Sequence, residues 1–146
     1  MAITSAICNS FKTEILTAVH NFTASTGNTF NLALYTSSAT LSKSTTAYSA
    51  TNEITNTSGT AYTAKGNALT SVTPVLDSDT AVCDFANTSW TSASFTARGC
   101  LIFNDTATGD PACCAIAFGG DKTVSSGTFT IQFPTADSSD AIIRIA

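Results

Sequence analysis

One histidine, five cysteines and a scatter of aspartates are the residues of this chain whose types could do chemistry. His20 is the sole imidazole, and a Ser or Cys beside it would make a nucleophile–base pair of the kind that runs acyl transfer. No surrounding motif supports that role. There is no G-x-S-x-G elbow, and His20 stands at the expected end of a helix, where an imidazole complements the helix dipole or is simply exposed. Cys8, Cys83, Cys100, Cys113 and Cys114 form no C-x-x-C pair, so neither a zinc site nor a regular disulfide framework is suggested. Adjacent Cys113 and Cys114 would point to opposite faces of a strand, which disfavours a mutual bond and leaves small core thiols as the expectation. A bond between subunits or across the sheet would need an oxidising environment.

Asp77, Asp79 and Asp84, then Asp105 and Asp110, fall in or beside expected turns, where oxygen ligands could hold calcium. The EF-hand spacing is absent, and an Asp in a turn ordinarily bonds its own backbone. Gly119 and Gly120 lack the spacing and the following helix of a phosphate loop and read as a tight turn ending a strand. Four Asn-x-Ser/Thr sequons, at Asn21, Asn56, Asn87 and Asn104, are what chance supplies in a chain so rich in hydroxyls. No catalytic residue, metal or cofactor is therefore assigned.

Two side chains stand out as contact candidates. Trp90 is the sole tryptophan, suited to a core or a subunit contact, and with Tyr48 the best candidate for a sugar-stacking platform. Arg98, between Ala97 and Gly99, is placed for a bidentate carboxylate contact, either within the chain or across a subunit boundary.

The elements that must position these residues follow from composition. The 146 residues include 27 Thr and 18 Ser but only 11% charged residues, and the hydroxyls separate short apolar runs. Thr suits a half-buried pleated surface, while Ser, Asn, Asp and Gly supply turns, so the chain reads as mainly β. Its net charge of −4 and pI near 4.5, with single scattered cations, argue against nucleic acid as a partner. No apolar run is long enough to span a bilayer and no secretory signal opens the chain, which predicts a soluble product made in the cytoplasm.

Ile3, Ile7, Phe11, Ile15, Val19 and Phe22 recur at helical spacing, predicting one amphipathic helix over about 4–22, capped by Thr4 or Ser5. From residue 30 the period becomes two: Phe30, Leu32 and Leu34 give a strand with one apolar face. Residues 36–66 read as a long surface loop. Strands follow at Ala68 to Leu76, Thr80 to Phe85, Ala93 to Ala97, Cys100 to Asn104, Ala112 to Phe118, Thr128 to Phe133 and Ala141 to Ile145. The expected fold is one domain over 1–146: an antiparallel β-sandwich over about 29–146, jelly-roll or Ig-like, with the helix at its N-terminus.

The opening Met1-Ala-Ile-Thr-Ser-Ala-Ile-Cys-Asn-Ser-Phe-Lys, the run Phe30-Asn-Leu-Ala-Leu-Tyr-Thr-Ser-Ser-Ala-Thr-Leu41 and Phe95-Thr-Ala-Arg-Gly-Cys-Leu-Ile-Phe-Asn104 resemble a family of small tailed-bacteriophage virion proteins. The resemblance extends to Phe129–Phe133 and Ile142-Ile-Arg-Ile145. It implies a virion component, and within that class a small acidic β-rich chain is similar to capsid decoration, or cement, proteins. The partner so implied is the major capsid protein, the assembly a homotrimer and the location the virion. A tail or baseplate adaptor or receptor-contact module is the alternative within the particle, and a carbohydrate-binding module the alternative outside it.

Overall fold

The computed structural model describes residues 2–55 and 59–146, so the sequon at Asn56 lies outside the described residues. The fold is mainly β, two antiparallel sheets with one short helix, and it forms a sandwich. The larger sheet runs β1 (Ala6–Ile7), β7 (Ala112–Ile131), β6 (Thr88–Asn104), β2 (Phe30–Tyr35), β3 (Asn67–Ala68). The smaller runs β4 (Ser71–Asp77), β5 (Thr80–Phe85), β8 (Ile143–Ile145). A continuous core joins them. Phe30 of β2 stacks on Phe22 at 4.2 Å between ring centroids, and both reach Phe85 of β5, at 5.9 and 6.2 Å. Phe133, after β7, closes the group at 5.5 Å from Phe85.

The helix is shorter than its periodicity promised: α1 spans only Asn9–Leu16. Ile3 and Ile7, four apart, also share one side of an extended chain, because four is a multiple of two as well as close to a helical turn. Extended is how they fold: Ile3 bridges Leu41, and β1 pairs Ala6 with Ala115 and Ile7 with Cys114. Ser5 accordingly does not cap the helix; its Oγ accepts the Ala117 N–H. After Leu16 the chain turns away through Ala18 at φ +59°. Phe11 is the buried anchor of α1, while Leu16 stands 86% exposed.

Four expected strands merge into two. Ala93–Ala97 and Cys100–Asn104 are parts of one β6, and Ala112–Phe118 and Thr128–Phe133 contribute to one β7. Gly119 and Gly120 do not end a strand. They sit in a bulge, where Ala97 pairs Lys122 and Gly99 pairs Ala117, so that β7 inserts extra residues opposite Arg98. Gly119, at φ +75°, supplies a conformation that a side chain resists. Gly99 is required for another reason: a Cβ there would lie 2.6 Å from the Ile116 carbonyl oxygen and 2.8 Å from Ile3 Cγ2. Further register shifts fall between Trp90 and Ala93 and between Ala93 and Phe95. Their sum is a sharp fold in the strand. Phe118 and Phe129, eleven residues apart, would be roughly 36 Å apart on a straight strand, yet their rings are 6.3 Å apart.

β2 also departs from its alternation. All six of its residues are buried, on both faces. The long segment 36–66 explains this: it carries isolated bridges at Leu41, Ala47 and Glu53, and it sends Leu41, Ile54 and Tyr62 into the core. Among the described residues no helix is long and apolar enough to cross a membrane.

Candidate functional site

The structure does bring His20 to a cysteine and a carboxylate, but inside the molecule. The His20 side chain is fully buried, contrary to the expectation of an exposed or dipole-facing imidazole at a helix end. Its Nε2 lies 2.8 Å from Glu14 Oε2, and its Nδ1 lies 3.2 Å from Asn104 Nδ2 and 3.9 Å from Cys113 Sγ. Asn104 is held in one orientation because its Oδ1 accepts the N–H groups of Thr106 and Ala107, which leaves Nδ2 as the donor toward the ring. Nδ1 therefore accepts, and Nε2 carries the proton that it donates to Glu14. The same Asn104 amide reaches the Val19 carbonyl and Asn28 Oδ1, tying the helix exit to the β6–β7 turn.

The Cys–His–Glu arrangement has the spacing of a nucleophile, its base and an orienting acid, yet it is sealed. Cys113 has no exposed surface, and burial pushes its thiol well above the ordinary range. The other cysteines are buried and unbonded too. Burial raises Cys8 to about 11 and Cys83 and Cys114 to about 12. They are core groups with nonreactive thiols, and Asn104, with no exposed surface, cannot serve as a glycan acceptor in the folded chain.

A second buried hub, which sequence reading missed, organises the long loop. Glu53 accepts hydrogen bonds from Tyr48 Oη at 2.6 Å, Tyr62 Oη at 2.7 Å and the Lys65 backbone N–H at 2.7 Å. Tyr62 Oη in turn accepts the Leu34 N–H, locking the loop onto β2. Burial and the neighbouring carboxylate push the phenols upward. A faint signal existed: Glu53 is one of two glutamates in the chain and lies in an otherwise sparsely charged stretch between two tyrosines.

The turn aspartates divide by environment. Asp105 and Asp110 both accept from Lys65 Nζ, at 2.7 and 2.8 Å, so a cation of the chain's own loop occupies the position between them, and its hydrogen bonds to these carboxylates raise its pKa. Asp77 accepts the Ser138 N–H, which holds its carboxyl low. Asp84 is 1% exposed; its Oδ1 accepts the Phe85 N–H, and burial raises its pKa against the lowering effect of the Phe85 and Ile142 backbone N–H groups. No group of metal-ligating side chains forms among the described residues.

The two contact candidates are both engaged within the chain. Trp90 is 4% exposed, its ring stacked 5.9 Å from Tyr62 and tilted 6.1 Å from Phe129. Tyr48 stacks on Phe103 at 4.7 Å. Arg98 Nε donates to Asp121 Oδ1 at 2.6 Å across the β7 bulge, the internal ion pair rather than a bidentate one, holding Asp121 low and Arg98 high. The structure does not bring Trp90 and Arg98 into one site.

What remains open lies on the outside. On the small sheet Leu76 pairs Ala81 and Ala81 pairs Ile145, so the three form one row across all the strands. Leu76 is 72% and Ile145 54% exposed, and Val72 and Val75 add further apolar surface along the same edge strand. A groove of about 410 Å³ lies between the arms of the folded β7 and the segment that follows it. No family model, no curated protein and no solved structure matches this chain.

Proposed function

We propose that this chain is a bacteriophage virion structural protein, a capsid decoration protein that binds the assembled head as a homotrimer where major capsid subunits meet. The observation that carries the reading is the exposed apolar row Leu76–Ala81–Ile145, with Val72 and Val75 also exposed on the same edge strand, where they pair Asp84 and Val82 on the alternate face. Exposed apolar residues gathered on one small sheet are a contact surface in search of cover. The resemblance of the opening twelve residues, of 30–41 and of 95–104 to small virion proteins supplies the partner. A protein that binds only the expanded shell stabilises that state by mass action, with no chemical step. The compact, loop-locked interior suits a part that must hold shape under load.

Quantitative mass spectrometry of purified particles tests the reading. A copy number comparable to the major capsid protein is the expected result. A few to a few tens of copies moves the chain to the tail or baseplate, and absence from particles overturns the virion assignment.

A further inference from the structure

β7 pairs with β1 only through Cys114 and Ala115, and beyond them no strand lies on its outer side among the described residues. From Lys122 to Ile131 this leaves ten residues with an unpaired edge. An uncovered edge displays a row of N–H and C=O groups ready for another chain, and proteins normally blunt it with proline, charge or brevity. The other edge strands are short or interrupted, and the free side of β6 over 88–98 is met by the Asn67 amide at the Ser89 carbonyl and by the Thr60 carbonyl at the Ser94 N–H. β4 carries Pro74 and a register shift, β8 has three residues and β3 has two. The β7 edge has no proline and one charge, that of Lys122, and although a register shift between Val124 and Gly127 interrupts it, it is longer than the β1, β3 and β8 edges.

The groove adjoins this edge and shares Lys122, Thr130 and Ile131 with it. Ile116, Phe118, Phe133 and Ile142 contribute to its apolar lining. Lys122 is exposed and, among the described residues, has no carboxylate partner, whereas Arg98 and Lys65 are both paired. A backbone edge, a pocket for a side chain and an unpaired cation are the three parts that recognise an extended peptide by strand addition.

We propose that the β7 edge from Lys122 to Ile131 binds an extended peptide segment of another protein as an added strand, seating an apolar side chain in the groove and a carboxylate on Lys122. A second copy of this chain fits less well. Residues 122–131 contain no acid to meet Lys122, and its remaining edges are short, interrupted by Pro74 or, on β6 over 88–98, met by groups of Thr60 and Asn67. The inference does not depend on the virion reading, since it specifies the peptide and not the particle.

The test is selection from a random dodecapeptide display library on the full chain, followed by amide hydrogen exchange with the most enriched peptide. Expected are sequences rich in β-branched residues with an Asp or Glu, and slowed exchange confined to 122–131. Lys122→Glu, at an exposed position and checked for folding by circular dichroism, should weaken binding by about tenfold or more. Failure to enrich any peptide, binding unchanged by Lys122→Glu, or protection mapping elsewhere would overturn the proposal. Sedimentation showing a dimer whose 122–131 amides are protected without peptide would overturn it in favour of a second copy.

Discussion

Two regions of this molecule treat polar groups in opposite ways. Around β2 and the β6–β7 turn, His20, Glu53 and Asn104 are drawn inward and engaged by several partners each. Along the small sheet and the outer β7 edge, apolar side chains and backbone groups are left unmatched. The residues that could do chemistry are spent on holding loops in place, and the capacity for contact lies where there is none.

Breaking the inward hubs should have the largest effects. Glu53→Ala removes three hydrogen bonds to a carboxylate and frees the loop, and we expect about 3–5 kcal/mol of destabilisation in urea unfolding. Glu53→Gln should cost less, because the amide still accepts. His20→Ala leaves Glu14 and the Asn104 amide short of a partner and opens a cavity against Phe11, for about 2–4 kcal/mol. A loss below about 1 kcal/mol in either alanine variant would show that the hub is ornamental.

Asp84 sharpens the comparison, being a carboxylate whose burial outweighs its backbone hydrogen bonds. Burial raises its pKa, so the native state holds this proton to higher pH than the unfolded chain does. Stability from this group is therefore present at low pH and falls as pH rises from the ordinary carboxylate range through the raised value. Asp84→Asn should add about 1 kcal/mol at pH 7 and nothing at pH 3, read from urea midpoints at both. In the outward region, Leu76→Thr and Val75→Thr should change stability by less than about 0.5 kcal/mol while abolishing attachment to shells in a sedimentation assay.

Legibility in the sequence followed the range of the interactions. The β class, the sandwich and the strand Thr80–Phe85 were readable because hydroxyl-rich composition and local alternation report them directly. The helix was overdrawn since Ile3 and Ile7 fit both periods, and only the pairing of β1 with β7 decides between them. Arg98-Gly99 and Gly119-Gly120 looked like breaks because glycine marks both turns and bulges; the two opposed each other, 97–99 against 117–122, and so bent the hairpin without ending it. The Glu53 hub and the cluster around His20 depend on partners up to 93 residues away, which no local pattern announces. Arg98 was singled out for a bidentate carboxylate contact within the chain or across a subunit boundary; it makes a single bond to Asp121, in a bulge that sequence reading had taken for a turn.

The division between a sealed interior and a contacting exterior is tested most directly by hydroxyl-radical footprinting and cysteine alkylation of the chain, free and in purified particles. The account predicts that Cys113 resists alkylation in both states and that Val72, Val75, Leu76 and Ile145 lose reactivity in the particle. Alkylation of Cys113 in the folded free chain, or particle protection that spares those four residues, would contradict it.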